Sequence, residues 1–347
     1  MTLSLIIATL LAPAGTPDVG AVVALTPKAY RTWSIELPAD PFHKLLGAFP
    51  IPHANGEGFA AESRGVGLAI DTDGDGEIDR VVEGRVHPET KVRHARLVLT
   101  GTSADGSSFR YPVRLQDKGK GWHWATGGAL IGDIDGTQVQ LIDMNGNGRF
   151  GDVGTDAIVL DGTGVAQFLG ETLSLDGKLQ TITVAEDGES LSLADFTGEA
   201  GVLDLRSEFN GKGVMLSAVV QSTDGKQSFE LSSFDEGLTV PAGTYNLIGA
   251  TLGLGDSRVT VNPAGMKAMT VNADAKTALE WGAPIKASFA YQRSGREVVL
   301  NPNDVRYVGA GGEQWIGWNP IGKSPTFQIK EKDTGDVLVD VVFPGSC

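Results

Sequence analysis

The chain has 347 residues, 41% hydrophobic and 20% charged, with 47 glycines, one cysteine and a net charge of −15. That length corresponds to two or three domains at about 100–200 residues each, enough to bury cores without disulfide staples. A single cysteine excludes a disulfide scaffold, and the lack of a Gly-X-Y period excludes collagen. The acidic balance argues against nucleic acid and anionic lipid, which require clustered Lys and Arg.

The N-terminal run Leu3 to Leu11 is apolar but too short for a bilayer span, which takes about 20 residues. With Ala12-Pro13-Ala14 behind it as an A-x-A-like cleavage site, it predicts a signal peptide over 1–14, although no Lys or Arg precedes the run. The expected location is therefore extracytoplasmic, secreted or periplasmic. No later stretch approaches about 20 apolar residues, so no membrane span is expected. Residues 15–27 are small, include Pro17 and Pro27, and read as a linker. Cys347 is the last residue, has no partner in the chain and reads as an ordinary terminus.

Turn signals then punctuate the chain. Asp-Gly begins at Asp73, Asp75, Asp105, Asp135, Asp161, Asp176, Asp187 and Asp224, and Asn-Gly at Asn55, Asn145, Asn147 and Asn210. These dipeptides tolerate positive φ and are the strongest short-range hairpin signal. Between them lie short β-rich runs: Gly67 to Ile70, Ala95 to Leu99, Thr181 to Val184 and Val337 to Val342. Period two and β-branched content predict strands. His43 to Phe49 and Ala264 to Met269 could each form one helical turn, but no long capped helical pattern occurs. The fold class is all-β, in two or three sandwich-like domains. The expected divisions are 28–165 with two acidic loops, 166–272 rich in hairpins, and 273–347.

Two local resemblances bear on those divisions. Thr239 to Leu247 contains Pro241, Gly243 and Tyr245, and this P-x-G-x-Y hairpin resembles those of carboxypeptidase-regulatory-like and prealbumin-like sandwiches. Residues 273–347 read as about seven short strands and are similar in architecture to an immunoglobulin-like sandwich, without its Cys…Trp…Cys spacing.

The chemistry concentrates in two loops. The first, Ile70 to Asp79, places Asp71, Asp73, Asp75 and Asp79 at relative positions 1, 3, 5 and 9, with Gly76 at 6. It resembles the calcium loop of EF-hands, and more closely the D-x-D-x-D-G-x-x-D loops of integrin-type propellers. Ca²⁺ takes six to eight oxygens, and alternate residues of a tight loop converge. The resemblance implies ligation by Asp71, Asp73, Asp75, the Glu77 carbonyl and Asp79. An EF-hand has Glu at position 12; here Val82 stands there, with Glu83 after it, and strands rather than helices flank the loop. Two unit charges about 5 Å apart repel by roughly 3 kcal/mol at an effective dielectric of about 20, so such a loop favours a cation.

The second loop carries Asp143, Asn145 and Asn147 at positions 1, 3 and 5, Gly148 at 6 and the Arg149 carbonyl at 7, with Asp152 at 10 and Asp156 at 14. It has fewer charges and is expected to bind calcium more weakly. The shared pattern of apolar strand, acidic loop, apolar residue and Asp reads as an internal duplication.

Other motifs give way to simpler readings. Asp133-Ile134-Asp135-Gly136-Thr137 resembles the nucleophile motif of haloacid-dehalogenase-like phosphatases, yet the strand that follows makes a hairpin turn the better reading. Asp333-Thr334-Gly335 matches the aspartic-protease triplet without a partner motif. None of His43, His53, His87, His94 or His123 has a zinc spacing. Trp122 with Trp124, and Trp315 with Trp318, could stack on sugars or fill a core.

The expected function is thus an exported, calcium-binding β protein with a structural, adhesive or ligand-binding role. Its expected partners are calcium ions and a glycan or cell-surface protein. The alternatives are a carbohydrate-binding module or glycan-active hydrolase, and a metal-dependent phosphoesterase centred on Asp133 and Asp135.

Overall fold

The computed structural model describes residues 20–342 apart from 161, 187, 296, 302–303 and 321–325. The expected signal peptide and Cys347 lie outside these residues. Among the described residues there is no α-helix, and strands account for the regular structure. The chain is all-β, as its period-two runs and turn dipeptides require. Of the two segments read as single helical turns, His43 to Phe49 holds the strands His43–Lys44 and Ala48–Phe49, and Ala264 to Met269 is a turn leading into the strand Met269–Val271. No helix among the described residues is long and apolar enough to cross a membrane.

Two sheets carry the acidic loops. A four-stranded sheet runs in the order Ala48–Phe49, Phe59–Arg64, Gly67–Ile70, Arg80–Val82. A five-stranded sheet runs Ala166–Phe168, Ala157–Leu160, Thr137–Ile142, Gly128–Ile134, Thr26–Ala29. Between them in sequence, Arg93–Thr102, Ser108–Asp117 and Trp122–Thr126 form an antiparallel meander. Its inward residues Leu97, Leu99, Tyr111, Val113, Leu115 and Trp124 pack with Phe49, Phe59 and Ile70 into one buried cluster.

Pairings and cores cross the positions 27/28, 165/166 and 272/273. In the segment read as a linker, Val22–Ala24 pairs with Ser190–Asp195, and Thr26–Ala29 pairs with Gly128–Ile134. One hydrophobic cluster joins Leu130, Val139 and Ile158 to Leu173, Ile182 and Leu191, so a core spans 165/166. Across 272/273, Lys276–Ala278 pairs in parallel with Ala200–Asp204, and Gln314–Asn319 pairs with Ser257–Asn262. Several strands of 273–342 therefore extend sheets begun earlier in the chain, while Tyr291–Ser294 with Glu297–Leu300 forms a hairpin of its own. The hairpin Thr326–Lys330 with Val337–Val342 leaves the latter strand exposed on both faces. The physical reason is that a turn dipeptide marks where a strand reverses, whereas buried apolar area, which is non-directional, selects its distant neighbour.

Candidate metal centre

Each acidic loop connects two antiparallel neighbours. In the first, Ile70 is opposite Arg80, so residues 71–79 are the connection. In the second, Ile142 is opposite Ala157, so the connection is 143–156. The sequence dictates how each loop begins. An Asp immediately after a buried strand can accept from the backbone amides that the turn exposes, and glycines at the fourth and sixth positions permit positive φ.

Both loops use that device in the same way. Asp71, 2% exposed, accepts from the Gly74 amide at 2.7 Å through Oδ1 and from the Gly76 amide at 3.0 Å through Oδ2. Asp143, fully buried, accepts from the Gly146 amide at 2.6 Å through Oδ1 and from the Gly148 amide at 2.7 Å through Oδ2. The paired glycines match, with φ of 73° at both Gly74 and Gly146, and 91° and 82° at Gly76 and Gly148. Residues 3 and 5 of each loop also make the same turn. Asp73 and Asp75 accept from the amides of Asp75 and Glu77, and Asn145 and Asn147 accept from those of Asn147 and Arg149. The two loops thus share one local hydrogen-bond pattern.

The loops differ at what faces inward. In the first, one carboxylate oxygen from each of Asp71, Asp73 and Asp75 lies within 4.8 Å of the others, with Asp71 buried at the base and the other two exposed. In the second, the Nδ2 groups of Asn145 and Asn147 both donate to Asp152 Oδ2, at 2.7 and 2.6 Å. The inward polar groups of that loop thus pair among themselves, amide against carboxylate. The first loop sets oxygen against oxygen.

Asp79 stands apart from the three clustered carboxylates. Its Oδ1 accepts from the Thr72 amide at 2.9 Å and its Oδ2 from the Thr72 hydroxyl at 2.6 Å. Asp79 therefore closes the hairpin. In the second loop that role falls to Asp156, which accepts from the Met144 amide at 3.1 Å through Oδ1 and the Asp152 amide at 2.9 Å through Oδ2. Asp156 is the last residue before its strand, as Asp79 is. Sequence alignment by spacing set Asp152 against Asp79; the fold sets Asp156 there, with five more residues in the loop. The readable signal was an Asp directly preceding an apolar strand.

Burial governs the electrostatics of the second loop. Desolvation pushes the Asp143 carboxyl up to about 6, against hydrogen bonds from Tyr111 and the amides of Gly148, Gly146 and Asn147. Desolvation and then the charge of Asp143 push Asp156 up to about 8. The Tyr111 hydroxyl, 2.8 Å from Asp143 Oδ2, comes from the neighbouring meander and was not legible as a site residue.

Other candidate residues take structural places. Asp135 and Gly136 form a two-residue hairpin with both φ positive, and Asp133 accepts from the Gly136 amide at 2.8 Å. Asp333-Thr334-Gly335 is the turn of the 326–342 hairpin. Trp122, Trp124 and Trp315 are buried, while Trp318 is partly exposed. No family model, curated protein or solved structure matches the chain.

Proposed function

We propose that this is a calcium-braced β protein of the extracytoplasmic space with an architectural or ligand-holding role, and that the 71–79 loop is its principal calcium site. The observation that carries the reading is the convergence of Asp71, Asp73 and Asp75 oxygens within 4.8 Å. Three carboxylates that close repel one another unless a cation lies between them. Oxygen-only ligands from an irregular loop suit Ca²⁺, which tolerates irregular coordination, better than Mg²⁺, which demands an octahedron and keeps its waters. The Glu77 carbonyl and solvent would supply further oxygens. Calcium would then hold Gly67–Ile70 and Arg80–Val82 in register, and binding to the folded state alone adds stability.

The second loop supports the assignment by contrast. With Asn in place of Asp at two positions, it satisfies its own polar groups and calls less for a cation.

Thermal unfolding in EDTA and in millimolar CaCl₂ tests this, beside Asp73→Asn/Asp75→Asn, which gives the first loop the second loop's side chains. Calcium at about 100 times its Kd adds roughly 2.7 kcal/mol. The wild-type midpoint is expected to rise with calcium and that of the double variant to stay fixed. An unchanged wild-type midpoint overturns the reading.

A further inference from the structure

The chain is acidic overall, yet one sheet face gathers arginines. In the meander, Arg96 stands directly opposite Arg114, and Thr100 opposite Arg110. Alternate strand residues share a face. Arg96, Val98, Arg110, Pro112 and Arg114 therefore lie on the side away from buried Leu97, Leu99, Tyr111 and Val113. Arg80 from the neighbouring sheet and Tyr30 join them around a cleft of about 420 Å³, whose wall contains no Asp or Glu. Among the described residues, none of these four arginines forms an ion pair with a carboxylate.

Two of the cations, Arg114 and Arg96, are held in place by neighbouring groups. Arg114 lies 3.7 Å from the Trp33 ring centroid and donates through Nε to the Thr126 carbonyl at 2.7 Å. Its Nη2 is buried without a hydrogen-bond partner. Arg96 donates to the carbonyls of Tyr30 and Arg31. Like charges directly opposite across a ladder destabilise a sheet. Burial and the charge of Arg96 lower the Arg114 pKa to about 10, partly offset by Asp40, so it stays charged at neutral pH.

Spacing narrows the ligand. Arg110 lies four residues from Arg114, about 14 Å along an antiparallel strand. Val98 and Pro112 fill the interval with apolar surface. The cleft thus has two cationic poles and an apolar floor.

We propose that this cleft binds an acidic saccharide, whose carboxylate groups reach both poles while its sugar rings rest on Val98 and Pro112. Guanidinium matches carboxylate in bidentate geometry. A nucleic-acid strand long enough to reach both poles continues beyond the cleft over the rest of the protein surface. The net charge of −15 would repel the rest of such a polymer.

The test is calorimetric titration of the protein with tetragalacturonate at low salt without added calcium. Parallel titrations use a neutral tetrasaccharide, a sulfated tetrasaccharide and single-stranded DNA of equal charge. Saturable, salt-sensitive tetragalacturonate binding is expected, weakened at least tenfold in Arg110→Gln. Arg110 is an exposed side chain, and an unchanged calcium-dependent midpoint in that variant checks that fold and metal site are intact. Sulfated-sugar binding lost in the same variant would extend the site to oxyanionic sugars generally and support the proposal. No binding, equal binding of the neutral sugar, tighter binding of DNA, or full affinity in Arg110→Gln would overturn it.

Discussion

Asp71 and Asp143 show how much one side chain can organise. Each follows a buried strand and takes two glycine amides on its two oxygens. Removing such a carboxylate leaves amides unsatisfied in a buried setting, which costs roughly 1–3 kcal/mol per group. Asp143→Ala is therefore expected to lower stability by about 3 kcal/mol or more, read from the urea midpoint, and Tyr111→Phe by about 1 kcal/mol. The same burial gives a pH dependence. The folded-state pKa values of Asp143, about 6, and Asp156, about 8, lie above the unfolded carboxylate value. Their contribution is complete below about pH 4 and is lost as pH rises through 6 to 8. The loss is roughly 1.4 kcal/mol for each pH unit over which a carboxyl keeps its proton only in the folded chain. In EDTA, urea unfolding at pH 5 and pH 8.5 should show this loss, and Asp156→Asn should flatten it. At this scale the sequence was informative about the first, third and fifth loop positions, because Asp, Asn and Gly at fixed spacing admit few turn geometries. Tyr111 was invisible, since nothing local marks a tyrosine on another strand as the partner of Asp143.

Hairpins are the element in which local sequence is strongest. Every Asp-Gly glycine among the described residues has positive φ, including Gly74, Gly106, Gly136, Gly177 and Gly225, whereas Gly56 and Gly211 of two Asn-Gly pairs do not. Asp-Gly recorded a backbone requirement; those two Asn-Gly pairs did not. The glycines also differ in what surrounds them. At Gly136 a Cβ would meet nothing within 4 Å, while at Gly146 it would lie 2.5 Å from Trp124 Cη2. Gly136→Ala should cost about 1 kcal/mol, the left-handed backbone penalty alone. Gly146→Ala adds overpacking against a buried tryptophan and should cost at least about 2 kcal/mol more. Equal urea midpoints for the two variants would show that Trp124 does not brace the second loop. The P-x-G-x-Y segment reads similarly: Tyr245 is buried and its hydroxyl donates to the Pro241 carbonyl at 2.8 Å, tying the two ends of the turn.

At the scale of the whole molecule, long-range pairing decides. Buried Asp204 accepts from the amides of Arg206 and Ser207 at 2.7 and 3.0 Å, and Lys276 lies 2.7 Å from its Oδ2. Burial opposes ionisation, but Lys276 and the two amides outweigh it and hold the carboxyl at about 2. With the folded pKa below the unfolded one, this contribution is present above about pH 4 and lost as pH falls toward 2. Allowing for solvent screening of half-exposed Lys276, roughly 1–2 kcal/mol is at stake. Urea unfolding at pH 5 and pH 2.5 should show it in the wild type and not in Asp204→Asn. The clamp fastens Lys276–Ala278 to Ala200–Asp204, a parallel pair that no turn announces. By itself the sequence determined the all-β class, the hairpin turns and the two acidic loops, because period-two patterning and Asp-Gly or Asn-Gly chemistry act within a few residues. The tertiary structure alone decided that cores span the apparent divisions, that Asp156 rather than Asp152 matches Asp79, and that four arginines meet on one face of an acidic chain. Each of those facts depends on which strands pair and in what register. Register is fixed by burying apolar area between segments far apart in sequence, a global optimum that no local window contains.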